Sequence, residues 1–149
     1  MNGLAAELGR WTTPETMQTR DQLIARLAAQ PEPQLVRIEE FLAGNDDLGS
    51  IGCNLLEHPG MDVFRTVFDR LAARADVESI HAQIAELDPG GDSWPFADTV
   101  FVVGAIPAAE LASALAPLQP DEVALLAPAD VPPALGQRAG VPVHLVWWD

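Results

Sequence analysis

Apolar residues recur at helical spacing in the middle of the chain. After Gly60, one face of the pattern carries Met61, Phe64, Val67, Phe68, Leu71, Ala72 and Ala75, and the arginines lie mostly elsewhere. This spacing predicts an amphipathic helix whose apolar stripe faces the core. A further helix is predicted to begin at Pro107 and to end at Pro117 and Pro120, because proline suits only the first turn of a helix.

The segment 1–47 predicts a helical hairpin. Thr13 can cap a first helix that has Pro14 at its first position. The apolar side of this helix carries Met17, Leu23, Ile24 and Leu27. Pro31 and Pro33 interrupt the pattern, and a second helix follows with Leu35, Ile38, Phe41 and Leu42 on one face. We expect the hairpin either to cover the sheet or to pair with another subunit, which would make the protein a homo-oligomer.

Several segments have the composition of strands. They span residues 48–56, 77–87, 99–103, 122–127 and 141–149. Residues 99–103 are nearly all apolar, which predicts a central strand buried on both faces. Residues 77–87 fit both a strand and a helix. The short gap after the preceding helix favours the strand, which would form a β-α-β unit with 48–56.

The last segment, VPVHLVWWD at 141–149, alternates between two faces. Val143, Leu145 and Trp147 lie on one side of the predicted strand, and His144, Val146 and Trp148 lie on the other. One of the adjacent tryptophans should therefore face the core and the other should face outward. We interpret this segment as the last strand, at an edge of the sheet.

Together these elements predict an α/β or α+β protein. A mixed sheet of about five strands, with helices packed on it, would occupy 48–149 and follow the hairpin at 1–47. The connection from 99–103 through the helix to 122–127 would be a right-handed β-α-β crossover.

Composition indicates a folded, acidic protein. The chain has 149 residues, of which 48% are hydrophobic, and 22 acidic residues against 8 basic ones give a net charge of −14. A negative field of this size repels nucleic acids and anionic lipid, so neither is expected as a partner. It favours encounter with a basic protein, although it also serves solubility alone. The single cysteine and the lack of a signal peptide favour the cytoplasm.

Known catalytic and cofactor motifs are missing from the sequence. No glycine-rich phosphate loop follows Gly104, and the chain has no GxSxG motif. His58, His81 and His144 lack metal-ligand spacing, so neither a metal nor a cofactor is expected. Cys53 and His58, five residues apart across a turn, are the weak candidates for catalysis.

One loop concentrates polar and aromatic residues. Residues 88–98 read DPGGDSWPFAD, and the turn at 54–60 follows another predicted strand. Loops at the carboxyl ends of parallel strands gather at one edge of a sheet, so the two should face each other. The predicted binding residues are Asn54, Glu57, His58, Asp92, Trp94 and Asp98. Alternatively, Trp94 and Phe96 close the end of the core, and the aspartates cap turns.

Four stretches carry a resemblance. IGCNLLEHPG, DSWPFADTV, QPDEV and the final WWD resemble segments of a group of small bacterial proteins without assigned function, over residues 48–149. The resemblance implies a stand-alone cytoplasmic protein and transfers no catalytic residue. The leading hypothesis is a non-enzymatic interaction module, such as an inhibitor or immunity-type protein that binds a basic partner. The alternative is a small enzyme or ligand-binding domain with a pocket between the 54–58 turn and the 88–98 loop.

Overall fold

The computed structural model describes residues 19–135 and 140–149 of the chain. Within these residues the helices are α1 (Arg20–Ala28), α2 (Ile38–Leu42), α3 (Met61–Ala72) and α4 (Ala108–Leu115). The strands are β1 (Leu35–Arg37), β2 (Ser79–Glu86), β3 (Phe96–Val103), β4 (Glu122–Leu125) and β5 (Val143–Trp147). The predicted class, an α/β protein with a five-stranded sheet and packed helices, is confirmed.

The strands form one sheet in the order β1-β2-β3-β5-β4. Every neighbouring pair is antiparallel, whereas a mixture of parallel and antiparallel pairs was predicted. β3 lies at the centre, as its apolar sequence predicts. β3 and β4 both run antiparallel to β5 and are therefore parallel to each other. They are joined through α4, so this crossover is present, with β5 inserted between its strands.

The main core lies on one face of the sheet. Side chains from the helices, among them Leu23, Phe64 and Leu111, pack there against alternate strand residues such as Val100 and Val146. The opposite face carries a smaller cluster centred on Phe101, Val103 and Val143, which the chain after β4 partly covers. This division follows from the alternation of side chains along each strand.

The predicted strand at 48–56 is wrong, because the segment forms turns and bends. Gly52 has a φ of +67°, a left-handed conformation that breaks an extended strand. Ile51 is fully buried, but Leu56 is 102% exposed, so the apolar residues do not share one sheet face. The predicted β-α-β unit between 48–56 and 77–87 is therefore absent, although 77–87 does contain β2.

The N-terminal hairpin also differs from the prediction. Helix α1 begins at Arg20, where Thr19 and Gln22 form a capping box, and the predicted start at Thr13 lies outside the described residues. The second predicted helix instead starts as strand β1, which pairs with β2, and continues as the short helix α2. Leu35 and Arg37 face one side of the sheet and Val36 faces the core, a two-residue alternation that a helical interpretation overlooks.

The prediction that β5 lies at an edge of the sheet is wrong, because β5 lies between β3 and β4. Its predicted alternation is correct. Trp148, just beyond the strand, is 2% exposed and packs in the main core, while Trp147 is half-buried on the other face.

Candidate functional site

The loop between α2 and α3 is held in place by polar side chains. Asn45 Nδ2 donates to Ser50 Oγ at 2.9 Å, and Asp47 Oδ1 accepts the Gly49 N–H at 2.9 Å. Short polar side chains compete in this way with strand pairing, which explains why an apolar segment forms turns here.

This loop contacts the 88–98 loop through residues that precede the predicted 54–60 turn. Asp47 Oδ2 accepts the Trp94 N–H at 2.8 Å, and the Ser50 carbonyl accepts the Ala97 N–H at 2.8 Å. Neither Asp47 nor Ser50 is among the predicted binding residues. One contact uses the Asp47 carboxylate and the other joins two main chains, and both fix the loops to each other.

Trp94 closes the core at this junction. Its side chain belongs to the main core cluster, and its indole Nε1–H donates to the Phe41 carbonyl at 3.0 Å. With a relative exposure of 7%, the residue presents almost no surface to a partner. Of its predicted companions, Asp92 is exposed, and Asp98 accepts a bond from Thr99 Oγ1 at 3.0 Å.

His58 is bonded to the backbone on both sides of its ring. Nδ1 accepts the Gly60 N–H at 2.9 Å, so the proton resides on Nε2, which donates to the Ile51 carbonyl at 2.9 Å. The ring also stacks on Phe64, with a centroid distance of 5.2 Å. This arrangement leaves neither nitrogen available for acid–base chemistry or for a ligand. Cys53 is exposed.

A groove of about 560 Å³ opens beside Asn54. One wall is formed by Gly52, Asn54, Leu55 and Leu56, and the other by Gln119, Asp121, Trp148 and Asp149. We call this site the Asn54 groove. Its first wall includes Asn54, which the sequence analysis names as a binding residue. The second is not the 88–98 loop but the chain on either side of β4 and β5.

Hydrogen bonds join the two walls of the Asn54 groove. Asn54 Nδ2 donates to the Asp149 carbonyl at 2.9 Å, and Gln119 Nε2 donates to the Glu57 carbonyl at 3.3 Å. Trp148 forms the base, where its Nε1–H donates to the Leu118 carbonyl at 2.8 Å. The groove is therefore preformed, with a rigid aromatic base and polar bridges.

Gly52 shapes the base of this groove. A Cβ atom at this position would lie 3.1 Å from Leu55 Cδ1 and 3.2 Å from Phe64 Cζ, at a φ that favours glycine. Because glycine has no Cβ, the backbone here packs directly on Phe64. The ring centroids of Phe64 and Trp148 are 5.9 Å apart.

The charge around the Asn54 groove is negative. Asp121, Asp149 and Glu57 lie in or beside it, and none makes an ion pair with another described residue. Ion pairs instead hold Arg20, Arg26, Arg37, Arg65 and Arg74 at other places on the surface. These five arginines thus neutralise carboxylates elsewhere, and the described residues at this groove carry a surplus of negative charge.

Leu56 stands at the rim of the Asn54 groove. It is 102% exposed, and Leu48 in the same loop is 50% exposed. A fully exposed leucine beside unpaired carboxylates provides both apolar area and charge for a partner. Sequence reasoning found Asn54 and Glu57 but missed Gln119, Asp121 and Asp149, and placed Leu56 in a strand.

No group of three or more His, Cys, Asp or Glu side chains in the described part of the chain is arranged to hold a metal ion. Among the same residues, no helix is both long and apolar enough to cross a membrane.

Comparison with known proteins gives one match. A family model described as the Uncharacterized protein YfbO family matches residues 18–143, which include β1 to β4 and the first residue of β5. No curated protein and no solved structure matches the chain.

Proposed function

The chain belongs to the uncharacterized YfbO family, and we propose that it is a non-enzymatic interaction module that binds a basic segment of another protein. The observation that carries this proposal is the fully exposed Leu56 at the rim of an acidic groove whose described lining includes no arginine. An inhibitor or immunity-type role is one form of such a function. The proposal includes a cytoplasmic location, which suits an exposed, unbridged cysteine.

The energetics favour a mixed apolar and cationic partner. Covering Leu56 would contribute about 1.5–3 kcal/mol, since full burial of a leucine side chain is worth that much. The unpaired carboxylates at the groove would attract arginine or lysine during encounter and raise the association rate. Because the groove is preformed, binding would not have to order the loop first.

A synthetic peptide of alternating arginine and leucine tests the proposal. Its binding would be measured by fluorescence anisotropy, beside a peptide with citrulline in place of each arginine. We expect the cationic peptide to bind more tightly and to lose affinity as salt rises, because screening shortens the reach of exposed charges. Equal affinity for both peptides, or binding insensitive to salt, would contradict the proposal.

Variants locate the binding surface. Leu56→Ser should lower the affinity for the peptide about tenfold, in line with the apolar burial that it removes. Glu57→Gln should lower the affinity for the peptide a few-fold, as expected for a charge at the rim of a binding site. Glu32→Gln removes the same charge from an exposed position outside the groove and serves as the matched control. If Glu32→Gln weakens binding as much as Glu57→Gln does, the attraction is diffuse and the Asn54 groove is not the site.

A further inference from the structure

A second groove, of about 470 Å³, lies on the face of the sheet that the helices leave open. Strand register places Gln83, Thr99, Trp147 and Glu122 side by side in one row across four strands. The next row on the same face contributes Phe101 and Leu145. We call this site the Trp147 groove. It lies on the opposite side of the sheet from Trp148 and is separate from the proposed partner site.

The outer wall of the Trp147 groove comes from the chain after β4. Leu126 and Pro132 add apolar area, and Asp130 adds a carboxylate. The volume lies within the range of small-molecule sites, about 300–1,000 Å³. Apolar walls with a few polar groups are also typical of such sites rather than of flat protein interfaces.

The polar groups of the Trp147 groove are available to a ligand. Glu122 and Asp130 are exposed and form no ion pair with any described residue. The Gln83 amide and the Trp147 indole N–H likewise have no hydrogen-bond partner within the described ranges. Thr99 is already bonded, because its hydroxyl donates to Asp98 at 3.0 Å.

The charge of the lining selects the sign of the ligand. None of the described lining residues is basic, while two are carboxylates. Among the described residues, the nearest arginine by register on this face is Arg37, three strands from Trp147, and it is paired with Glu39. Among the described lining residues, an anion would meet only negative charge. A cation would meet carboxylates on two sides and the negative face of an indole ring.

We propose that the Trp147 groove binds a small organic cation, an ammonium or guanidinium compound with a flat apolar body. The apolar body lies on Trp147 and Leu145, and the cationic head lies between Glu122 and Asp130. This cation site is independent of the partner surface at Leu56.

Benzylamine is a suitable probe, since benzyl alcohol and benzoate are its neutral and anionic counterparts. Binding would be followed by NMR at the tryptophan indole N–H signals of the full chain, with Trp147→Phe used to assign the Trp147 signal. We expect benzylamine to shift the Trp147 signal, to leave the buried Trp94 and Trp148 signals in place, and to bind at least fivefold more tightly than benzyl alcohol. A charge-dependent contribution of about 1 kcal/mol corresponds to that ratio.

Glu122→Gln tests the charge directly. This variant should bind benzylamine about fivefold more weakly and benzyl alcohol with unchanged affinity. Glu32→Gln should alter the affinity for neither ligand. Leu56→Ser should not alter the titration, so a failure of the partner proposal would not be mistaken for a failure here. Equal binding of benzylamine and benzyl alcohol, benzylamine affinity unaltered by Glu122→Gln, or shifts confined to Trp94 or Trp148 would overturn the cation site.

Discussion

Arg65 on α3 anchors the loop that forms the first wall of the Asn54 groove. Its Nη1 donates to the Leu42 and Asn45 carbonyls, both at 2.8 Å, where α2 ends and the loop begins. Its Nη2 reaches Asp46 at 2.8 Å and Asp62 at 3.2 Å. The Arg65 side chain is only 14% exposed, whereas the two carboxylates are 88% and 96% exposed.

We predict that Arg65→Met destabilises the protein by about 2–4 kcal/mol. Hydrogen bonds from a charged donor contribute about 1.5–3 kcal/mol, and the carbonyls of Leu42 and Asn45 would lose this donor. The ion pairs with exposed carboxylates add at most about 0.5–1 kcal/mol in total. Methionine retains much of the apolar stem of arginine, so packing losses stay small.

Urea unfolding measures the effect. Arg70→Met is the matched control, since Arg70 lies on the same helix and is exposed. It should change the free energy of unfolding by no more than about 0.5 kcal/mol. A loss in Arg65→Met no larger than that in Arg70→Met would refute the anchoring role. So would an equally large loss in Asp62→Asn, because it would place the stabilisation in the exposed ion pair.

Gly104→Ala should cost more than about 3 kcal/mol in urea unfolding, because a Cβ there would lie 2.3 Å from the Asp76 carbonyl oxygen at a φ of +148°. Gly90→Ala, also at positive φ but with no atom within 4 Å, should cost less, and an equal loss would contradict the steric argument. Burial lowers the pKa of His144, so at acidic pH the unfolded chain binds more protons, and stability should fall as pH drops below about 6.5. His144→Leu should reduce the loss of stability between pH 8 and pH 5.5. Part of the loss should remain, because burial also lowers the pKa of His81. An unchanged pH profile would show that His144 does not contribute.

Strong periodicity made most of the sheet and the helices α3 and α4 predictable. In α3 the apolar residues occupy one face over three turns, and the helix Met61–Ala72 follows that pattern. The segment 48–56 misled the prediction, because its apolar letters resemble a strand while Asn45, Asp47 and Gly52 determine a turn structure. That outcome depends on side-chain bonds to the backbone, which hydrophobic patterning does not report.

The candidate site was predictable only on one side. Asn54 and Glu57 were found because they occupy a turn between apolar segments. Gln119, Asp121 and Asp149 reach the groove only because β5 enters the sheet between β3 and β4. Strand order depends on contacts between distant segments, and single-strand patterns carry little information about it. A signal was nevertheless present, since Asp121 and Asp149 adjoin the ends of two strands.

The insertion of β5 has a consequence for synthesis on the ribosome. Among the described strands, β4 pairs only with β5, and one side of β3 is also filled by β5. Until residues 143–147 have emerged from the exit tunnel, β4 has no neighbour, and the apolar edge of β3 remains open. The nascent chain therefore cannot complete its sheet progressively from the N-terminal side, and this half of the sheet forms only after β5 is available.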